Sequence, residues 1–109
     1  MTTWDKVVTF YVNYQTGKPK GKILGIYVNG KEVSNGITVT VNKLPVKLQV
    51  TFKNAGNAKG EIDVEVWIDG VRYGSNSGTF NPNSGTTYTW IINDISPGKH
   101  TFYVKVGHS

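Results

Sequence analysis

The chain contains no cysteine, which excludes disulfide staples, thiolate metal sites and cysteine nucleophiles. It has almost no arginine: eleven of its twelve basic residues are lysine, and the other is Arg72. Arginine is the side chain that forks onto phosphate and guanine. A net charge of +5 carried by lysine therefore suits solubility and weak attraction to polyanions, not sequence-specific nucleic-acid binding. No apolar run approaches the roughly 20 residues of a membrane-spanning helix, so no membrane insertion is expected. The opening MTTWDKVVTF lacks a basic start followed by an apolar run, so no signal peptide is visible, and there is no Asn-x-Ser/Thr sequon. Histidine is also scarce. His100 and His108 have no partner at ligand or triad spacing and read as solvated side chains, so neither a catalytic centre nor a bound metal or other cofactor is expected.

Helical periodicity is missing too, and what replaces it is alternation. In Val46–Asn54, Leu48, Val50 and Phe52 point one way, with Lys47, Gln49, Thr51 and Lys53 the other. In Glu61–Asp69, Ile62, Val64, Val66 and Ile68 share one face, opposite Glu61, Asp63, Glu65 and Trp67. A period of two marks half-buried strands. The same pattern puts Leu24, Ile26 and Val28 inward, then Ile37, Val39 and Val41, then Tyr88, Trp90 and Ile92, and finally Phe102, Val104 and Val106. Asn29-Gly30 and Asp69-Gly70 are two-residue hairpin signals, because these residues tolerate positive φ. GSNSGTFNPNSG (74–85) reads as a long loop that cannot form a core element, with Phe80 as an anchor inside it.

These features predict an all-β fold with essentially no helix, a sandwich of seven to eight antiparallel strands. The 109 residues read as a single domain: an extra N-terminal strand over 5–14, a flexible connection over 15–22, and the sandwich over 23–106. The loop over 54–60 is longer than a tight hairpin needs, so it is expected to carry the chain from one sheet to the other. That would set Trp67 beside Tyr103.

The run VKLQVTFKNAGNAKGEIDVEVWIDG, a polar loop and TYTWIINDISPGKHTFYVKV together resemble the CARDB-type bacterial and archaeal adhesion-related domains, over residues of about 37–106. The matching features are Lys53-Asn54-Ala55-Gly56-Asn57, Asp69-Gly70 and Ser96-Pro97-Gly98-Lys99-His100. The resemblance implies an immunoglobulin-like β-sandwich without catalytic activity, in a cell-surface or secreted setting or on a virion. Within it, Asn54 and Gly56 would turn the chain between sheets through left-handed backbone angles.

Three sets of residues are candidates for function. Glu61, Asp63 and Glu65 form an outward acidic stripe at a spacing a glycosidase could use, but an open sheet face offers no cleft, and charges solvating that face account for them. Trp67 and Tyr103, with Tyr11, Tyr27 and Tyr73 as further outward aromatics, suit a protein interface, a sugar-stacking platform or plain cross-strand packing. Val8, Phe10 and Val12 form a strand that could cover the far edge of the last strand, where nothing later in the chain can pair. That pairing would be within one chain or with a neighbour. The expected partner is thus a protein, including a second copy through strand pairing, or a glycan. The expected role is a structural or adhesive module, a carbohydrate-binding module, or a virion or surface-filament subunit.

Overall fold

The structure, a computed structural model, describes residues 17–108. It contains eight strands: β1 (Gly21–Val28), β2 (Lys31–Val33), β3 (Thr38–Val41), β4 (Val46–Asn54), β5 (Gly60–Ile68), β6 (Val71–Phe80), β7 (Gly85–Ile92) and β8 (Gly98–His108). They form two antiparallel four-stranded sheets, ordered β2-β1-β4-β7 and β3-β8-β5-β6. The all-β sandwich expected from the alternation is what the described residues form. The segment holding Val8, Phe10, Tyr11 and Val12 lies outside them.

The two sheets meet because β4 and β5 each present an unbroken apolar face. Val46, Leu48, Val50 and Phe52 from the first sheet and Ile62, Val64, Val66 and Ile68 from the second are buried together with Ile92, Phe102 and Val104. Burying a side chain of this size contributes roughly 1.5–3 kcal/mol. The hairpins turn where expected, with Asn29-Gly30 at φ 51° and 83° and Asp69-Gly70 at 53° and 80°, the signature of type I′ turns. After β4 the chain crosses between the sheets, and the resulting register sets Trp67 directly opposite Tyr103.

Two bulges overturn parity-based expectations. In β1 the register with β4 shifts between Ile23 and Gly25, so Leu24 is left on the surface, 49% exposed, while Ile23 packs against the core in its place. In β6 the register with β5 shifts by one between Val66 and Trp67. Arg72 therefore takes the outward place opposite Trp67, and Tyr73 packs against the core instead of facing out. An extra residue in one strand flips the facing of everything beyond it.

The expected loop over 74–85 is also corrected, since Gly74–Phe80 is strand, paired with β5 throughout. It is an edge strand with small side chains, which explains why it carries no apolar alternation. Phe80 does anchor it, edge-on to Phe52 at a centroid separation of 5.3 Å. The far edge of β8 is likewise not bare along its first part. β3 pairs with Gly98–Thr101, and the Asn35 side chain then imitates a strand, donating to Val104 O (3.0 Å) and accepting from Val104 N–H (2.8 Å).

Neither Asn54 nor Gly56 is left-handed. Asn54 acts instead through its fully buried amide. Oδ1 accepts from the N–H groups of Lys20 (3.0 Å) and Gly56 (2.9 Å), and Nδ2 donates to the carbonyls of Ala58 (2.8 Å) and Phe80 (3.0 Å). Its backbone N–H donates to Ser84 O and its carbonyl accepts from Asn83 N–H, holding the β6–β7 connection. Residues 17–20, expected to be part of a flexible connection, are tied to the crossing loop by Lys18–Asn57 and Lys20–Ala55 hydrogen bonds. Gly56 lies so close to Lys18 that any side chain there would run into the Lys18 carbonyl.

Asn54→Ala should therefore cost roughly 3–5 kcal/mol, because each buried group orphaned by the loss costs about 1–3 kcal/mol. Asn57→Ala, at an exposed bond to Lys18, should cost about 1 kcal/mol or less. Urea denaturation of both variants, compared at constant m-value, checks the difference.

Candidate functional site

The outer face of the second sheet is built from β5 and β8, whose alternation sends Glu61, Asp63, Glu65 and Trp67 outward beside Tyr103 and Lys105. Glu65 stands opposite Lys105 on one side and Ser75 on the other. The Lys105 ammonium sits 4.0 Å from the centroid of the Trp67 ring, a cation–π contact. The Trp67 indole N–H donates to Glu65 Oε1 at 3.1 Å, and Arg72 reaches Glu65 Oε2 at 3.5 Å. Arg72, Glu65, Trp67 and Lys105 thus form one interlocked group. Tyr103, 45% exposed, extends this surface from Trp67 toward the Asn35-Gly36 turn.

The acidic stripe is half engaged in this group. Glu65 is held by Trp67 and Arg72, whereas Asp63 borders two shallow hollows, one shared with Ser75 and Ser77 and one with Lys105 and Gly107. Among the described residues no cluster of three or more His, Asp or Glu side chains is placed to hold a metal ion.

Tyr73 does not belong to this surface. It lies at the end of the sandwich, where its hydroxyl donates to Asp94 Oδ1 at 2.8 Å, a bond that raises the phenol above its usual range. Tyr27 lies on the outer face of the other sheet, with its ring over Gly25. Tyr11 lies outside the described residues. Of the candidate outward aromatics among the described residues, Trp67 and Tyr103 are the two that stand opposite each other.

The end of the sandwich also holds an arrangement that sequence spacing did not reveal. His100 is buried, not solvated. Its Nδ1 lies 2.6 Å from Asp69 Oδ2, and its Nε2 lies 2.6 Å from the Ser96 carbonyl oxygen. Two acceptors can be met only by a ring that donates from both nitrogens, the imidazolium form. The Asp69 bond, followed by the Ser96 carbonyl, raises the His100 pKa above 6.5. The Thr101 N–H, which donates to Asp69 Oδ1 at 2.9 Å, and then His100 lower the Asp69 pKa below 3.8. The pair ties the β5–β6 turn to the β7–β8 connection beside an open cleft of about 570 Å³ floored by Ile68, Val71 and Ile95. With both nitrogens occupied, His100 is a structural tie. Its partners stand 31 and 4 residues away in sequence, a spacing that no motif encodes.

The chain was compared with models of known protein families, with curated proteins and with solved structures, and no match was found.

The tie makes a signed prediction. The folded protein binds the His100 proton more tightly than the unfolded chain does. The contribution is therefore fully present below pH 6.5 and lost as pH rises through the raised folded value. The Asp69 contribution runs the other way, present above pH 3.8 and lost as pH falls through the lowered folded value. The thermal midpoint should fall between about pH 6 and about pH 9, and His100→Gln should be less stable at the lower pH with a flatter profile. Differential scanning fluorimetry across that range checks both expectations.

Proposed function

We propose that this chain is a non-catalytic structural or adhesive module that binds another protein through the outward Trp67–Tyr103 face and its sheet edges. The observation that carries the reading is the preorganised Arg72–Glu65–Trp67–Lys105 group beside exposed Tyr103. Tryptophan, tyrosine and arginine are the side chains that most often dominate binding energy, and rigid ones lose little entropy when bound. The immunoglobulin-like and CARDB-type readings belong with this proposal: two antiparallel sheets, with the chain crossing between them after β4, are compatible with both. The use of the His100–Asp69 pair as a tie between turns supports a non-catalytic reading.

A glycan platform is the competing use of the same aromatics. Here Lys105 already lies over the Trp67 ring and Glu65 holds the indole N–H, so a sugar would have to displace Lys105 from that ring face. This favours a protein partner. A separate observation favours a role in assembly. Beyond Val104 no described strand covers the edge of β8, and 5–14, with Val8, Phe10 and Val12, alternates as a covering strand would. A virion or filament subunit exchanging this strand with its neighbour is the second reading, and its oligomers should disappear in Phe10→Pro.

Biolayer interferometry of the immobilised chain against a panel of extracellular-matrix and cell-surface proteins, alongside a glycan array, tests the first reading. The Trp67→Ala, Tyr103→Ala double variant should weaken protein binding at least about tenfold, as expected for loss of interface anchors, with an unchanged circular dichroism spectrum. Glycan binding that disappears in Trp67→Ala would transfer the face to the sugar-binding reading. Protein binding unaffected by the double variant would remove the face from the proposal.

A further inference from the structure

The two sides of the sandwich are unlike. On one side the edge strands are β2, three residues long and carrying Lys31 and Glu32, and β3, four residues long. Short length and charge are the ordinary ways a sheet edge is protected from pairing. On the other side the edges are β6, ten residues long, and β7, eight residues long. From Tyr73 to Asn93 the sequence contains not one Asp, Glu, Lys or Arg. All of β7, and all of β6 beyond Arg72, fall within that run.

The β6 edge presents open backbone groups. The Ser77 N–H is not used in pairing with β5; it donates to the side-chain Oδ1 of the adjacent Asn76 at 2.9 Å. Because N–H and C=O direction alternates along a strand, Ser75, Ser77 and Thr79 turn their backbone groups away from β5. Among the described residues no strand lies beyond them. The edge's own side chains are small or absent, since 74–78 reads Gly-Ser-Asn-Ser-Gly.

That pentapeptide is the same in both directions, and Asn76 is its centre. An antiparallel copy placed on a twofold axis at Asn76 would set Ser75 opposite the partner's Ser77 and Gly74 opposite the partner's Gly78. Ser75 and Ser77 both carry outward backbone groups, so the facing pair can exchange N–H···O bonds in both directions. An isologous contact also sets any axial charge against itself, and none is present here. We infer that β6 is a homodimerisation edge: two copies join through 74–78, antiparallel about Asn76, into one continuous eight-stranded sheet. This deepens the interaction-module reading above by naming one partner, a second copy of the chain. The Asn76 side chains would leave the Ser77 N–H groups and face each other across the axis.

The test uses charge on that axis. Size-exclusion chromatography with light scattering should show the full-length chain as a dimer at roughly 100 μM, dissociating on dilution as a small interface does. Asn76→Lys and Asn76→Glu, each at an exposed position, should be monomeric alone with unchanged circular dichroism, and their equimolar mixture should recover the dimer. Ser77→Pro, which removes an N–H not used in pairing with β5, should also be monomeric. A wild-type monomer at that concentration would overturn the inference, as would dimers persisting in both charged variants or a mixture that stays monomeric. Oligomers abolished by Phe10→Pro but indifferent to Asn76 would overturn it in favour of the N-terminal strand. Trp67 and Tyr103 are unaltered throughout, so a failure here leaves the outward-face reading to its own binding experiment.

Discussion

The buried amide of Asn54 is the interaction on which the arrangement of the two sheets depends. It has four side-chain bonds and two backbone bonds to the approach to β1, the crossing loop, the end of β6 and the β6–β7 connection. Apolar burial is non-directional and would hold two sheets together in many relative placements. A buried amide is directional, and an unmet donor or acceptor there is costly. The four partner groups are met together only when the crossing loop, Lys20 and Phe80 occupy one set of positions. The register of β5 then follows, and with it the juxtaposition of Trp67 and Tyr103.

Much of this fold was legible from alternation and turn chemistry. β4 and β5 keep period two without interruption, and each face of each strand has one environment, so parity alone assigns every side chain. The Asn-Gly and Asp-Gly hairpins were equally plain. Parity failed at Leu24 and Tyr73, and for one reason. A bulge inserts one residue and reverses the facing beyond it, yet nothing in ILG or VRYG distinguishes a bulged strand from a regular one. The strand over Gly74–Phe80 was hidden for a different reason: as an exposed edge it needs no apolar face, so its composition resembles a loop. Turn residues can form a strand when the neighbouring strand supplies the hydrogen-bond ladder.

The two polar groupings differ in how far sequence reached them. The outward Trp67–Tyr103 pair could be anticipated because it needs only two alternating strands and one crossing. The Lys105 and Glu65 contacts that rigidify Trp67 depend on the β5–β8 register to the residue. The burial of His100 lies beyond the reach of sequence. A histidine next to a turn is ordinarily solvated, and only the approach of the Asp69 turn and the Ser96 carbonyl makes it a buried cation. Asn35 is a similar case, an exposed turn residue in sequence that becomes a substitute strand for Val104.

The sequence by itself determined the secondary-structure class, the two dominant core strands and the hairpin turns. These follow from local chemistry: side-chain facing has a period of two, and positive φ is cheap only for a few residue types. It also determined where charge is absent, the long neutral run that holds β7 and β6 beyond Arg72. Tertiary structure alone decided which strands became edges, where the bulges fall, and which polar side chains are buried and satisfied. Those outcomes depend on partners distant in the chain, brought together by the closing of one sheet on the other, and no local pattern records them.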